Sequence, residues 1–160
     1  MATLIAIDPG TTKSGVCVFD GQKVADAYVA SNETLVRQLN VVNRCNKEKP
    51  TVVIEMIASY GMAVGRETFE TCVWIGRFMQ VCDDVHRMFR KEVKIHMCGT
   101  TKAKDTNIWQ AILDRYGGKE SAVGRKKTPG PLYGVTSHSR AALALGLCWI
   151  DGVRSERVQA

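Results

Sequence analysis

Two acidic residues, Asp8 and Glu55, each end a short apolar run, and this position gives the first indication of chemistry. Asp8 closes the run Leu4-Ile5-Ala6-Ile7 and precedes Pro9-Gly10, and Glu55 closes the run Thr51-Val52-Val53-Ile54. Such runs are typical of strands covered on both faces. Carboxylates at the ends of rigid central strands are good ligands for a hard divalent cation. The alternatives are an ordinary Asp-Pro-Gly turn for Asp8 and a charged strand terminus for Glu55.

The elements that must position these acids follow the order β-β-β-α-β-α-β-α-α. The first three predicted strands, at residues 4–8, 15–20 and 23–30, form an antiparallel meander because Asp20-Gly21 is a hairpin signal. The later predicted elements are a helix that begins at Ser31 or Asn32 and ends near residue 46, a strand at 51–55, a helix at 66–90, a strand at 92–98, and helices at 105–115 and 137–150.

This order predicts one α/β domain over residues 1–160, with a five-stranded mixed sheet flanked by helices. Strands one to three are antiparallel, and the right-handed crossover rule allows strands four and five to lie parallel to the first. If strands one and four are neighbours, Asp8 and Glu55 end side by side at one edge, but the sequence does not prove this adjacency. Residues 117–133 show no periodicity and predict a mobile surface loop.

Composition limits the class of protein and of partner. The 160 residues carry 22 Lys and Arg against 16 Asp and Glu, so the net charge is +6, which favours a polyanionic partner. The six cysteines include no C-x-x-C pair, which argues against zinc and for reduced thiols in a cytosol. No apolar run approaches the roughly 20 residues of a membrane span. We therefore expect a soluble, cytoplasmic protein with no membrane partner.

Longer motifs extend over nearly the whole chain and carry a family resemblance. They are Ile7-Asp8-Pro9-Gly10-Thr11-Thr12-Lys13-Ser14-Gly15, Val53-Ile54-Glu55-Met56-Ile57-Ala58-Ser59-Tyr60-Gly61-Met62, the stretch from Gly65 to Phe78, Val93-Lys94, Ala103-Lys104-Asp105, the stretch from Pro129 to Val135, and Ser137-His138. With these motifs the chain resembles the RuvC-type Holliday-junction resolvases of the ribonuclease H-like fold, and most closely the phage-encoded branch.

The resemblance implies a homodimeric, Mg²⁺-dependent endonuclease that acts on branched DNA such as a four-way junction, with Mn²⁺ as a substitute ion. If the protein is phage-encoded, it would act in the cytoplasm of the bacterial host. By resemblance, Asp8 is the bridging metal ligand and Glu55 the second carboxylate. His138 matches a third ligand position and could instead serve as a proton shuttle. A local hydrogen bond at the start of a helix is the alternative for His138.

The last position of the family's ligand set departs from the bacterial pattern. Bacterial members carry an acid three residues after the position of His138, where this chain has Ala141. Asp105 is the candidate substitute acid, and a plain helix N-cap is its alternative. Asp151 lies ~20 Å further along the last helix than His138, too far to contribute.

Basic and aromatic residues surround the predicted acids in the sequence. Lys94 and Lys104 match family positions near the scissile phosphate, where they would offset developing negative charge, and ordinary surface lysines are the alternative. Tyr60 is the candidate for stacking on an exposed base, since Ala58 occupies the family's aromatic position. The candidates for phosphate contacts are Lys13, Arg66, Lys102, Lys104 and the run Arg125-Lys126-Lys127. Trp74 and Phe78, one helical turn apart, either enter the core or seat a partner subunit.

Two other functions remain open at this point. Ala141 motivates a junction-binding protein that does not cleave. The segment from Asp8 to Thr12, followed by Val18-Phe19-Asp20, also looks like the phosphate loop of sugar kinases and actin-like ATPases. Those proteins need a cleft between two domains, and 160 residues supply one.

Overall fold

The computed structural model describes residues 3–153 and is organised around a five-stranded mixed sheet. In chain order the strands are β1 (Thr3–Asp8), β2 (Lys13–Asp20), β3 (Lys23–Ser31), β4 (Thr51–Met56) and β5 (Asp84–Phe89). Their spatial order is β3-β2-β1-β4-β5, with β1, β2 and β3 antiparallel and with β4 and β5 parallel to β1. The predicted fold class is confirmed, and so is the adjacency of the first and fourth strands on which the site prediction depended.

Helices cover both faces of this sheet. They are α1 (Asn32–Cys45), α2 (Arg66–Gln80), α3 (Arg90–Cys98), α4 (Asp105–Arg115), α5 (Lys119–Ala122) and α6 (Ser137–Ile150). The apolar faces of α1 and α2 pack on one side of the sheet, through residues such as Leu35 and Phe78. On the other side α3, α4 and α6 pack through Val93, Ile112 and Leu143. The domain is therefore a three-layer α/β structure with one apolar cluster on each face of the sheet.

The second half of the predicted helix at 66–90 and the predicted strand at 92–98 are wrong. Helix α2 ends at Gln80, β5 occupies Asp84–Phe89, and 90–98 is a helix. The strand was missed because β5 is an edge strand of mixed burial with charged residues, so it lacks a clear apolar run. Helix α3 was read as a strand because its apolar residues are few and close together.

The prediction of an unstructured loop at 117–133 is also wrong. This segment contains α5 and a short antiparallel hairpin of β6 (Gly124–Arg125) and β7 (Thr128–Pro129). Ala122 and Leu132 are buried in the cluster beneath α4 and α6. The segment has no periodicity because its elements are too short to show one.

Helix α6 packs unusually close to the sheet at two glycines. A Cβ atom on Gly15 would lie 2.0 Å from the carbonyl oxygen of His138, and one on Gly146 would lie 2.1 Å from Cε2 of Phe19. Either side chain would force α6 away from β2, so these glycines fix the distance between the helix and the sheet. They also fix the position of His138 over β2.

Two further sequence expectations bear on redox state and membranes. All six cysteines are free. Within residues 3–153, every helix is too short or too polar to cross a membrane.

Candidate active site

Asp8 and Glu55 converge at one edge of the sheet. The last paired residues of β1 and β4 in the parallel ladder are Ile7 and Ile54, and the two acids follow them directly. Because side chains alternate along a strand, Asp8 shares a face with Ala6, and Glu55 shares a face with Val53. Ala6 and Val53 both belong to the cluster beneath α3, α4 and α6. Both carboxylates therefore point to the side of the sheet that these helices cover.

The surroundings of the two acids disfavour their ionised forms. Burial raises the pKa of Asp8 to about 6, with Asp105 adding to the rise and with Arg90 and His138 opposing it. Burial raises the pKa of Glu55 to about 7, and the negative charge of Asp8 adds to this shift while Arg90 opposes it. Ionisation of both acids is thus costly without a further cation, which is the electrostatic setting of a cation site.

Arg90, which sequence analysis did not identify, contacts these acids directly. As the first residue of α3 after β5, it donates from Nη1 to Oε2 of Glu55 at 3.3 Å and from Nη2 to Oδ1 of Asp105. Asp105 is the first residue of α4, and its side chain is 84% exposed. The guanidinium thereby links an exposed acid on α4 to the buried acid at the end of β4.

His138 lies in the first turn of α6, above the strand that pairs with β1. Its carbonyl oxygen sits over Gly15, and Gly15 is the partner of Asp8 in the antiparallel ladder. The side chain of His138 is exposed and close enough to Asp8 to lower the pKa of that carboxyl. Ala141 is part-buried one turn further on and offers no ligand atom.

The loop that follows Asp8 is held by a small buried network. Asn32 donates from Nδ2 to the carbonyl oxygen of Gly10 at 2.8 Å and accepts at Oδ1 from the Ser14 hydroxyl at 2.6 Å. The backbone N–H of Gly10 donates to Ser14 Oγ at 3.3 Å, and that of Asn32 donates to the carbonyl of Thr12 at 2.9 Å. Ser14 and Asn32 are both buried, so the network fixes the loop 9–12 and with it the end of β1.

The donor set suits a hard cation but is not a preformed cage. No cluster of three or more His, Cys, Asp or Glu side chains arranged for a metal occurs within residues 3–153. Two buried carboxylates with a nearby exposed acid and imidazole are nevertheless the oxygen-rich set that Mg²⁺ accepts, since Mg²⁺ keeps several waters and needs few protein ligands. The residues present therefore fit Mg²⁺ bound mainly by Asp8 and Glu55.

Several of the predicted cationic residues lie on elements that border this edge. Lys13 is exposed at the start of β2, two residues from the partner of Asp8. Lys102 and Lys104 are exposed just before and at the N-cap of α4, next to Asp105. Lys94 is on α3 rather than on the predicted strand, and it is part-buried. These four lysines thus lie on segments next to those that carry the candidate acids.

The other predicted phosphate contacts lie further from the acids along the chain. Arg66 begins α2 and pairs with Glu70 at 2.7 Å. The run Arg125-Lys126-Lys127 forms the exposed tip of the β6–β7 hairpin. No contact among the described residues links Arg66 or this hairpin tip to Asp8 or Glu55.

Tyr60 lies in the loop after β4 and has an uncommon backbone. Its φ of 49° is in the left-handed region, and it is the one non-glycine residue of the described chain with a positive φ. The ring is exposed, and the ammonium of Lys91 lies 5.9 Å from its centroid. The ring of Tyr60 thus lies at the surface of the loop that follows Glu55.

The face of α2 that carries Trp74 and Phe78 turns inward, which decides between the two alternatives for it. Phe78 is fully buried, and Trp74 packs against it beneath the guanidinium of Arg77. The opposite face of α2 instead leaves Phe69 62% exposed and Val73 63% exposed. Sequence analysis predicted a helix here but did not single out this exposed apolar pair, whose members lie one turn apart.

Two capping signals could have revealed Arg90. Glu92 accepts a hydrogen bond from the backbone N–H of Phe89 at 2.7 Å, and Gly99 ends α3 in a left-handed conformation. A Glu at the third helical position and a Gly after the last turn are helix boundaries that can be read from sequence. They would have placed Arg90 at the end of β5, beside the end of β4.

Comparison with known proteins identifies the fold. No protein-family model matches the chain, and no curated protein matches it. Among solved structures, Thermus thermophilus RuvC matches with a TM-score of 0.66 over 91% of each chain at 16% identity. T. thermophilus RuvC in complex with a Holliday junction substrate matches with a TM-score of 0.66 over 92% of each chain at 17% identity. The chain thus has the RuvC-like ribonuclease H fold. Its relationship to the phage-encoded branch stays a prediction.

Proposed function

We propose that this chain is a structure-selective DNA endonuclease that resolves Holliday junctions or related branched DNA by Mg²⁺-dependent phosphodiester hydrolysis. The observation that carries the proposal is the convergence of Asp8 and Glu55 at the ends of the adjacent parallel strands β1 and β4. The RuvC-like fold supports it, because one of the matching RuvC structures holds a Holliday junction substrate. We propose a cytoplasmic enzyme, in the bacterial host if it is phage-encoded.

In this proposal Asp8 and Glu55 hold the metal, and His138 completes the ligand set or moves a proton. Mg²⁺, or Mn²⁺ in its place, would supply an activated water and charge stabilisation at the leaving oxygen. Asp105 stands near enough to Asp8 and Glu55 to raise the pKa of both, so it is the candidate for the role of the acid missing at Ala141, either as a ligand or through Arg90, which it contacts. Lys104, the N-cap residue before Asp105, would offset negative charge on the phosphate.

DNA would be held by cations on the elements around the site. Lys13, Lys102 and Lys104 flank the edge that carries the acids, and Lys94 lies on the helix that Arg90 begins. Arg66 and the hairpin run Arg125-Lys126-Lys127 would extend the contact to more distant phosphates, as a branched substrate requires. Tyr60 would stack on a base exposed at the branch point.

A pair of symmetric cuts requires two sites, so we propose a homodimer that uses the exposed face of α2. Phe69 and Val73 are the large apolar residues on that face, and burying them would favour association. Replacing both with serine is expected to convert a dimer to a monomer in light-scattering measurements. If the native chain is already a monomer at micromolar concentration, the dimer proposal is wrong.

The direct test is cleavage of a labelled four-way junction. The native protein with Mg²⁺ is expected to introduce paired nicks near the branch point, and EDTA is expected to stop the reaction. Asp8→Asn and Glu55→Gln should bind the junction in Ca²⁺ but not cut it. Duplex DNA of the same length is the control for structure selectivity, and equal cleavage of duplex and junction would contradict the proposal.

A non-cleaving junction-binding protein is the second candidate. The alanine at position 141 favours it, and so does the absence of a three-ligand cluster within the described residues. It predicts tight junction binding with no nicks in Mg²⁺ or Mn²⁺. The sugar-kinase alternative has less support, because residues 3–153 form one large sheet and no second domain with which to make a cleft.

A further inference from the structure

Arg90 is a charged residue to which the proposed reaction assigns no role. Its side chain is 22% exposed, and that of Glu55, to which it donates at 3.3 Å, is 17% exposed. A part-buried guanidinium needs acidic partners to offset its lost hydration, and here those partners are Glu55 and Asp105. Its position therefore depends on the charge state and occupancy of the candidate site.

A divalent cation at the proposed site and Arg90 would bind the same carboxylate, that of Glu55. Oε2 of Glu55 already accepts from the guanidinium, and a metal ion bound to this carboxylate would add two positive charges within a few ångströms of Arg90. At such distances the two cations repel each other, so each weakens the binding of the other to this carboxylate. Arg90 and the metal should therefore compete.

Asp105 gives Arg90 a second acidic partner. Its carboxylate is the other partner of the same guanidinium, and it lies at the surface, with a side chain 84% exposed. If Glu55 turns to a metal ion, Arg90 keeps one charged partner and need not be left unpaired. The two partners thus differ in burial, and only the buried one is a candidate metal ligand.

We infer that Arg90 is the resident counter-ion of the metal-free site, and that a divalent cation displaces it from Glu55 onto Asp105. This inference rests on the proposed function, because it assumes that Glu55 binds a metal. In it Arg90 is a positioning residue that sets how tightly the site takes up its metal, and Asp105 acts through Arg90 and not as a ligand.

The test is calorimetric titration of the DNA-free protein with Mn²⁺ at pH 8.5, where both acids are ionised given pKa values of about 6 and 7. Arg90→Gln is expected to bind Mn²⁺ at least about fivefold more tightly than the native protein, because a competing cation has been removed. Lys91→Gln is the matched control, since it removes the same charge from the neighbouring residue, whose ammonium lies over Tyr60. It should change the affinity by less than about twofold.

A double-mutant cycle separates the indirect role of Asp105 from a direct one. Asp105→Asn should weaken Mn²⁺ binding in the native background, because Arg90 then stays on Glu55. In the Arg90→Gln background the same substitution should have almost no effect. An equal loss in both backgrounds would show that Asp105 ligates the metal itself, and it would overturn the inference.

The native protein offers a readout that needs no variant. The Nε–H resonance of Arg90 is expected to move on titration with diamagnetic Mg²⁺, and this result decides the matter if Arg90→Gln does not fold. Saturable metal binding with an unmoved resonance, or with unchanged or weaker affinity in Arg90→Gln, would overturn the inference alone. If the native protein shows no saturable binding at all, the proposed metal-dependent function fails with it.

Discussion

Among the described residues, one charged cluster lies near each end of α6, and the two differ in how their acids are balanced. Near the start of the helix, Asp8, Glu55 and Asp105 share the single guanidinium of Arg90. At its end, one carboxylate, Asp151, accepts from both terminal nitrogens of Arg115 at 2.5 and 2.8 Å and contacts His96 at 2.7 Å. The first cluster has three acids around one arginine, and the second has one acid paired with an arginine and in contact with a histidine.

The pKa values follow this difference. Burial raises those of Asp8 and Glu55 to about 6 and about 7, whereas the hydrogen bonds from Arg115 lower that of Asp151 to about 2. The cluster at Asp151 is complete without any ligand and joins α3, α4 and the end of α6. Under the proposed function, the cluster at Asp8 would be complete only with a further cation bound. An acidic cluster thus indicates a binding site when its charge is uncompensated, not simply because it is acidic.

The largest expected effect comes from removing a carboxylate of the uncompensated cluster. Asp8→Asn is expected to reduce junction cleavage by roughly a thousandfold or more, because a metal ligand is lost. Asp151→Asn is the matched control, since it removes the same charge from the compensated cluster and should leave the cleavage rate within about twofold. Comparable losses in the two variants, measured as single-turnover rates, would remove the distinction between the clusters.

The next effect is on the pH dependence of stability. The folded-state pKa values of Asp8 and Glu55 lie above their unfolded values, so the folded protein holds more protons between about pH 4 and 7. The pair therefore destabilises the metal-free fold by about 5 kcal/mol at pH 8 relative to pH 4. Urea unfolding at both pH values checks this, and the Asp8→Asn, Glu55→Gln double variant should be less sensitive to pH over this range. Saturating Mg²⁺ at pH 8 should restore much of the difference.

The compensated cluster predicts the opposite sign at lower pH. The folded pKa of Asp151 is below its usual 3.8, so its contribution is complete above about pH 4 and is lost as the pH falls toward 2. Asp151→Asn should therefore lower the free energy of unfolding by about 1 kcal/mol at pH 7, since solvent screens this exposed carboxylate, and by less at pH 3. A loss of equal size at both values would show that the Arg115 and His96 contacts contribute little.

Only part of the cluster at Asp8 could be predicted from the sequence. Asp8 and Glu55 could be predicted because each follows an apolar run in a central strand, where burial of both faces leaves a clear pattern. Arg90 could not, because β5 is a half-buried edge strand whose pattern merges with the preceding helix, and the error moved Arg90 from a strand end to a helix end. Its partner Asp105 was identified, but the contact between them depends on how α3 and α4 pack.

The cluster at Asp151 was beyond sequence reasoning for a different reason. Asp151 was correctly predicted to lie too far along the last helix to join His138, since helical rise alone fixes that separation. Its partners Arg115 and His96 come from the ends of two other helices, and no local pattern predicts their convergence. Likewise, Gly15 and Gly146 have no sequence signature, although close packing at these residues fixes the position of α6 and therefore of His138.

The most direct measurement is the anomalous scattering of Mn²⁺ in crystals of the native protein. The proposal predicts a strong peak within coordinating distance, about 2.0–2.4 Å, of carboxylate oxygens of both Asp8 and Glu55, with Arg90 turned toward Asp105. The same crystals should show no peak at Asp151. The account would be contradicted if saturating Mn²⁺ gave no anomalous peak between Asp8 and Glu55. A peak at another place in the protein and none there would contradict it as well.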